Sequence, residues 1–289
     1  MTLRSSCRRP ALRSFFAEAL GDALTQAKFA PHEYNEEVIP QVAAEYEQAI
    51  RDPTTYALDL AHQLAFRTGL GSSLFASPHT AVDYKSATAF AHSVLGNPSN
   101  IAVVASGVDA SSLQSLVGEF FVSGSPSAPA PSAASSYHGG EVRVPAAAHS
   151  ASVADHFLLA FSGAGLSSVD LTVLRHLLGG ESSVKWSKGS SPLSLLSTSN
   201  YISAHAFNLS YSDAGLFGFM LKAPTASMGS LAQSVVAELK KAAGGVSEAD
   251  LKKAVAKAKF AAAAEFETRV GKLELAGSQV SLTALVVAI

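Results

Sequence analysis

Cysteine is almost missing from this 289-residue chain: Cys7 stands alone, which excludes an internal disulfide and any zinc or iron–sulfur site built from several thiolates. Charge is scarce as well. Only 15% of the residues are Asp, Glu, Lys or Arg and the formal net charge is −2, so no basic field is available to hold nucleic acid. No arginine-rich or aromatic-interleaved stripe marks a nucleic-acid groove either. Runs of about 18 apolar residues do not occur. The most apolar tail, Leu282 to Ile289, is too short to span a bilayer, so membrane contact is expected only through partners. The nine histidines fall at 32, 62, 79, 92, 138, 149, 156, 176 and 205, and no two are four apart. That spacing is the one that sets two metal ligands on one helical face. There is no G-x-S-x-G elbow and no P-loop, and Gly163-Ala164-Gly165 lacks the third glycine of a dinucleotide loop and reads as a turn.

What is present is hydrophobic: 48% of the residues, in a chain long enough for two domains with their own cores. The start, MTLRSSCRRPALRSFFAEAL, sets Arg4, Arg8, Arg9 and Arg13 among serines with no acid before Glu18. Residues 1–14 therefore read as a mitochondrial transit peptide or as a misassembled start.

Helical spacing of Phe16, Leu20, Ala23, Leu24 and Ala27, broken by Pro31, predicts a helix over 15–28. A second helix from His32 contains Pro40 and should kink or split there. Further helices are expected after Asp52-Pro53 with Tyr56, Leu60, Leu64 and Ala65 on one side, over 86–95 and over 109–121. Between the last two, Ile101 to Val104 reads as a fully buried strand within 100–106. SGSPSAPAPSAASSY reads as an exposed linker and places a domain boundary at 123–140. Beyond it strands are expected over 141–144 and 155–162 and a helix over 168–178. A helix over 230–242 carries Leu231, Val235 and Leu239, and one long final helix opens at Ser247. That last helix places Leu251, Val255, Ala258, Ala262, Phe266 and Val270 along one face.

The most distinctive stretch is 200–221, NYISAHAFNLSYSDAGLFGFML. Ile202, Ala204 and Ala206 alternate with polar residues, and Ser212-Asp213-Ala214-Gly215 supplies turn chemistry before Leu216, Phe217, Phe219 and Leu221, so it reads as a strand hairpin. FNLSYSDAGLFGF resembles the second half of the core 2 proteins of mitochondrial ubiquinol:cytochrome c reductase, respiratory complex III. Those are non-proteolytic relatives of the mitochondrial processing peptidase and of pitrilysin-type zinc peptidases. The same resemblance continues in AKFAPHEYNEEVIPQV, ALDLAHQLAFRTGLGSSL, NPSNIAVVASGV, YHGGEVRV and LLGGESSVKWSKGSSPLSLL, in family order, from Phe15 to about Gln279.

The resemblance implies an α+β fold of two related domains, each a mainly antiparallel sheet with packed helices. The first domain (15–122) would be incomplete, lacking its opening strands and first helix. The second (141–289) would lack its last helix and strand. Active relatives bind zinc through two helical histidines and a distal glutamate. The segment with the histidine pair has no counterpart here, and aligning EVIPQV puts Val42 at the distal glutamate, with Glu45 and Glu47 out of register. An inactive homologue follows, with no catalytic, cofactor or metal residues: a scaffold subunit of complex III, peripheral on the matrix side of the inner membrane. Its partners would be a core 1-like chain, cytochrome b, cytochrome c1 and the iron-sulfur protein. The alternative is a zinc endopeptidase or the substrate-recognition subunit of the processing peptidase, whose long glycine-rich loop is represented here only by Gly179-Gly180 and Gly189.

The remaining polar groups have plain readings. His32, Glu33, Glu36 and Glu37 make a solvated helix start. Asp59 and His62 share a face and fit hydrogen bonding better than a metal. His149 and His156 flank a strand and read as structural, and Lys240, Lys241, Lys252, Lys253, Lys257 and Lys259 read as a solvated face.

Overall fold

The computed structural model describes residues 13–80, 82–121, 133–145, 154–166, 168–180, 189–197, 201–283 and 287–288. In chain order the elements are α1 (Arg13–Thr25), α2 (Pro31–Glu33), a π-helical turn (Tyr34–Val38), α3 (Ile39–Arg51), α4 (Pro53–Phe66) and α5 (Tyr84–Leu95). They continue with β1 (Val104–Ala105), α6 (Ala110–Phe120), β2 (Asp155–Gly163), α7 (Asp170–Leu178), α8 (Pro192–Leu196), β3 (Ser203–Ser210) and β4 (Gly215–Ala223). The last are α9 (Thr225–Ala243), α10 (Glu248–Glu267), α11 (Arg269–Thr283) and β5 (Val287–Ala288).

Local chemistry sets the helix starts. Asp52 accepts from the amides of Thr54 and Thr55 ahead of α4, whose first residue is Pro53. Asp83 and Asp109 cap α5 and α6 in the same way. Ser247 accepts from the Asp250 amide and donates back to its carboxylate at 2.7 Å, a reciprocal start for α10. Pro40 does not split its helix. The five residues before Ile39 widen into a π turn, closed by the Ile39 amide on the Tyr34 carbonyl, which makes room for a ring that cannot donate.

Two compact units divide the chain, and neither is continuous. The first gathers 1–41, 79–132 and 263–289, and the second gathers 42–78 and 133–262. In the second, three antiparallel strands run in the order β2-β4-β3, with the hairpin in the register Leu209↔Leu216 and Ser210↔Gly215. One face of the sheet carries Ala204, Ala206, Phe217, Phe219, Leu221 and Ala223 and is covered by Leu178, Leu193, Leu231 and Val235 from α7, α8 and α9. The opposite face, with Leu216, Ala160, Phe207 and Leu209, is covered by Ala65 and Phe66 of α4. A segment that the sequence assigns beside the first-domain helices thus roofs this sheet. Central strand β4 is buried on both sides along nearly its whole length. Gly218 is required there, since a β-carbon would lie 2.3 Å from the Leu159 carbonyl oxygen. Gly179 and Gly180, both at positive φ, turn the chain out of α7 so that the Gly179 carbonyl accepts from the Ala206 amide at 3.0 Å.

The first unit is mostly helical. Its helices α1 and α6 cross closely at Gly21, where a β-carbon would sit 2.4 Å from the Phe120 carbonyl oxygen. The Tyr84 hydroxyl donates to the Phe29 carbonyl at 2.5 Å and holds α5 to the turn after α1. Its described strands are only β1 and β5, paired in parallel.

Four expectations change. Of the strand expected over 100–106, only the half-buried pair Val104–Ala105 is in a ladder among the described residues, against Val287–Ala288. Residues 141–144 have no ladder partner among the described residues and are exposed. The long last helix ends at Glu267, where Thr268 caps a new one by accepting from the Gly271 amide at 2.9 Å. Its expected apolar face is largely bare, with Leu251, Phe266 and Val270 exposed and Ala254 buried instead. Residues 123–132 of the expected 123–140 linker lie outside the described residues.

Candidate functional site

The hydrophobic alternation of β2 places Phe157, Leu159 and Phe161 on the sheet face that bears α9, and His156, Leu158 and Ala160 on the face that bears α4. No described strand pairs with the outer edge of β2, so this sheet face continues past the last strand into an open apolar groove. Its volume is about 520 Å³, with a floor of Phe157, Leu159 and Leu221 and a wall of Ala232, Val235, Val236 and Ala237. Gln233 and Lys240 are its polar members. Such a lining offers apolar contact, with Lys240 as its one ionisable side chain.

The polar residues singled out in the sequence do structural work. Asp59 is buried and accepts from Gln63 Nε2 at 2.8 Å, Ser73 Oγ at 2.7 Å and the Leu74 amide at 3.2 Å, fastening the loop after α4 to the helix. His62 turns elsewhere. Its Nδ1 lies 2.7 Å from the Leu58 carbonyl, which can only accept, so that nitrogen carries the proton and Nε2 accepts from the Tyr211 hydroxyl at 2.6 Å. The pair ties α4 to the hairpin turn, and burial raises the Tyr211 pKa. Asp59 and His62 are therefore not brought together on a ligand.

His156 is held below its ordinary pKa, first by burial and then by the Lys222 cation across the ladder, with Asp52 and Asp155 pulling the other way. Its Nδ1 is buried without a hydrogen-bond partner among the described residues. His149, and the side chain of His79, lie outside the described residues. His32, Glu33, Glu36 and Glu37 are exposed around the π turn. Val42 is half-buried on α3, where an aliphatic side chain cannot ligate a metal, and Glu45 and Glu47 are exposed, the latter paired with Arg51 at 3.0 Å. Among the described residues no three His, Cys, Asp or Glu side chains gather as a metal set.

Several of the lysines are engaged along their own helices: Lys241 with Glu238 at 3.8 Å, Lys252 with Glu248 at 2.7 Å and Lys253 with Asp250 at 3.3 Å. These are exposed pairs of little energetic consequence. Lys240 borders the groove, and burial, then the Arg175 and Lys257 cations, depress the pKa of His176. Among the described residues no helix is long and apolar enough to cross a membrane. The groove itself went unread in the sequence. Its trace there was the pair of phenylalanines at 157 and 161, whose period fits a buried strand face and gives no sign that β2 lies at an edge.

The family profile described as the peptidase M16 inactive domain matches residues 81–258. Among curated proteins, the cytochrome b-c1 complex subunit 2 of Cryptococcus neoformans is 42% identical over 265 residues, 91% of this chain and 61% of that one. The subunit of the same name from Neurospora crassa is 40% identical, over 85% of this chain and 55% of its own. Against these relatives the chain spans about three fifths of their length. Among solved structures, a chain of complex III2 from Candida albicans superposes with a TM-score of 0.75 at 17% identity, over 94% of this chain and 66% of that chain.

Proposed function

Because the chain belongs to the peptidase M16 inactive-domain family, we propose that it is a non-catalytic core subunit of mitochondrial complex III, a scaffold for the assembly and stability of the complex. The observation that carries this reading is the 42% identity, sustained over 91% of the chain, to a protein named subunit 2 of that complex. The site chemistry agrees with it: an apolar groove suits protein contact, and the Val42 side chain offers no oxygen or nitrogen at the position that the family resemblance implies for the distal zinc ligand. In this reading the protein is mitochondrial and sits on the matrix side of the inner membrane. It holds a core 1-like chain and supports cytochrome b, cytochrome c1 and the iron-sulfur protein, and it reaches the bilayer only through them. The domain reading, 15–122 and 141–289 around the 123–140 linker, belongs to the same proposal.

The experiment is to tag the native protein, solubilise mitochondria in mild detergent and follow its migration. Migration with cytochrome b and cytochrome c1 in one large assembly is the expected result. A small matrix species whose peptidase activity is lost to a zinc chelator would overturn it in favour of the peptidase alternative.

A further inference from the structure

Helix α4 ends in a way that its own sequence does not favour. Glycine is the usual residue where a helix turns into the left-handed region, yet Arg67 does so here, at φ 61° and ψ −46°. The Thr68 amide then donates back to the Phe66 carbonyl at 2.7 Å, closing a three-residue γ-turn of the strained hand. Strain of this kind persists only where the surroundings over-determine it. Residues 133–140 are those surroundings. The His138 amide donates at 2.7 Å to the Ala65 carbonyl, one of the acceptors that the last turn of a helix leaves without an internal partner. Tyr137 sets its ring edge-on to Phe66 at 6.5 Å and donates its hydroxyl to the Ala160 carbonyl at 3.3 Å, and Gly140 lies against Leu64. The Ser135 amide reaches the hairpin turn, donating to Asp213 Oδ2 at 2.7 Å in the same turn whose Tyr211 bonds His62 of α4.

We propose that residues 133–140 are a strap that docks on the end of α4 and forms one two-state element with the turn at Arg67: strap down and turn wound, or strap lifted and turn relaxed. The chemistry fits a contact that opens. Ser136, Tyr137 and His138 are exposed, and the Ser135 and Tyr137 hydrogen bonds are open to water, so each holds the strap only weakly. Against them stands the conformational penalty at Arg67, which is relieved when the strap lifts. Gly139 and Gly140, both at positive φ, end the strap with two residues that absorb a large backbone change without a β-carbon in the way. Lifting takes the Tyr137 ring off Phe66, which is 2% exposed with the strap down, and so loosens the seam where α4 meets Leu216 of the sheet. Closure of the roof thus depends on a segment far along the chain from α4. A docked strap locks the end of the helix, and a displaced one releases it.

The test reads amide exchange residue by residue on the full chain, under conditions where closing outruns exchange. Asp213→Ala removes the acceptor of the Ser135 amide and leaves every group of α4 in place. Exchange at the Ser135, His138 and Thr68 amides is expected to quicken together, about fivefold, with β4 unchanged. Arg67→Gly is the decisive variant, because it removes the strain and none of the strap's own bonds. It should slow Ser135 and His138 as well as Thr68, again about fivefold, since coupling between two parts of one element is reciprocal. Slowing at Thr68 alone would show that turn and strap are independent and would overturn the proposal. So would quickening at Ser135 alone in Asp213→Ala, which would mean that the strap does not dock as a unit. Quickening that spreads to Phe217 and Phe219 would put an opening of the whole sheet in place of a lifting strap, and would equally overturn it.

Discussion

The two units differ in how they keep water out, and the difference follows strand pairing. In the second, a nine-residue central strand is flanked on both sides and roofed on both faces, and most of the buried hydrophobic side chains among the described residues lie there. The first contributes only Leu113, Phe121 and Ala276 to that set, while Phe15, Phe90, Val82 and Ile39 stay exposed. Helical periodicity is similar in both. What the first unit lacks among its described residues is a sheet wide enough to give its helices a common floor.

The largest break in this contrast comes from the centre of β4. Phe219 is 1% exposed and contacts Phe217 edge-on, so Phe219→Ala should cost about 3–5 kcal/mol. Amide exchange should accelerate throughout the strands β2, β3 and β4, and a change confined to residue 219 and its neighbours would show that this sheet does not unfold as a unit. Next is the roof. Asp59→Ala removes the acceptor that Gln63, Ser73 and the Leu74 amide share and should cost about 2–3 kcal/mol, read as a lower denaturant midpoint with faster exchange at 72–75. The first unit offers a counterpart at the α1–α6 crossing. Gly21→Val must push apart two backbones already in contact and should cost about 2 kcal/mol, with exchange rising in α1 and α6. If β2 to β4 loosen as much as α6 does, the two units are one cooperative body and the contrast fails.

Much of this was legible in the sequence, and the exceptions share a cause. The hairpin 203–223 is readable because turn chemistry and period-two burial coincide within twenty residues of one another. Helices α4, α5 and α6 are readable because each opens on an aspartate that caps it. The break at Thr268 was also signalled, by a threonine three residues ahead of Gly271, but the apolar spacing across it suggested one helix. Tertiary destinations left no comparable mark. Nothing local in Ala65 and Phe66 says that they roof a sheet whose strands begin some ninety residues later, and nothing in Glu141 to Val144 says that an alternating segment goes unpaired. The groove is of this kind too, since β2 would carry the same side chains at the centre of a sheet.

The smallest effect separates the units by acid. His156 and His176 both lie in the second unit, and both are held below the ordinary value of 6.5, in each case chiefly by burial. The unfolded chain therefore takes up protons first as pH falls through that value, and the stability linked to these neutral rings declines from about pH 7 toward the lower folded values. The aspartates answer in a different window. Asp83 and Asp109 in the first unit, and Asp52, Asp213 and Asp250 in the second, are held below the ordinary 3.8 mainly by hydrogen bonds to their carboxylates. Their contribution is complete above that value and is lost only as pH drops further. Between pH 7 and 5.5 exchange should thus quicken in β2 and α7, where the two histidines sit, while α5 and α6 keep their pH-corrected protection. His156→Phe should remove the β2 part of that response and leave the α7 part in place. A response in α6 over the same interval would mean that protonation of the second unit is felt across the whole chain, and the division into two differently stabilised units would have to be given up.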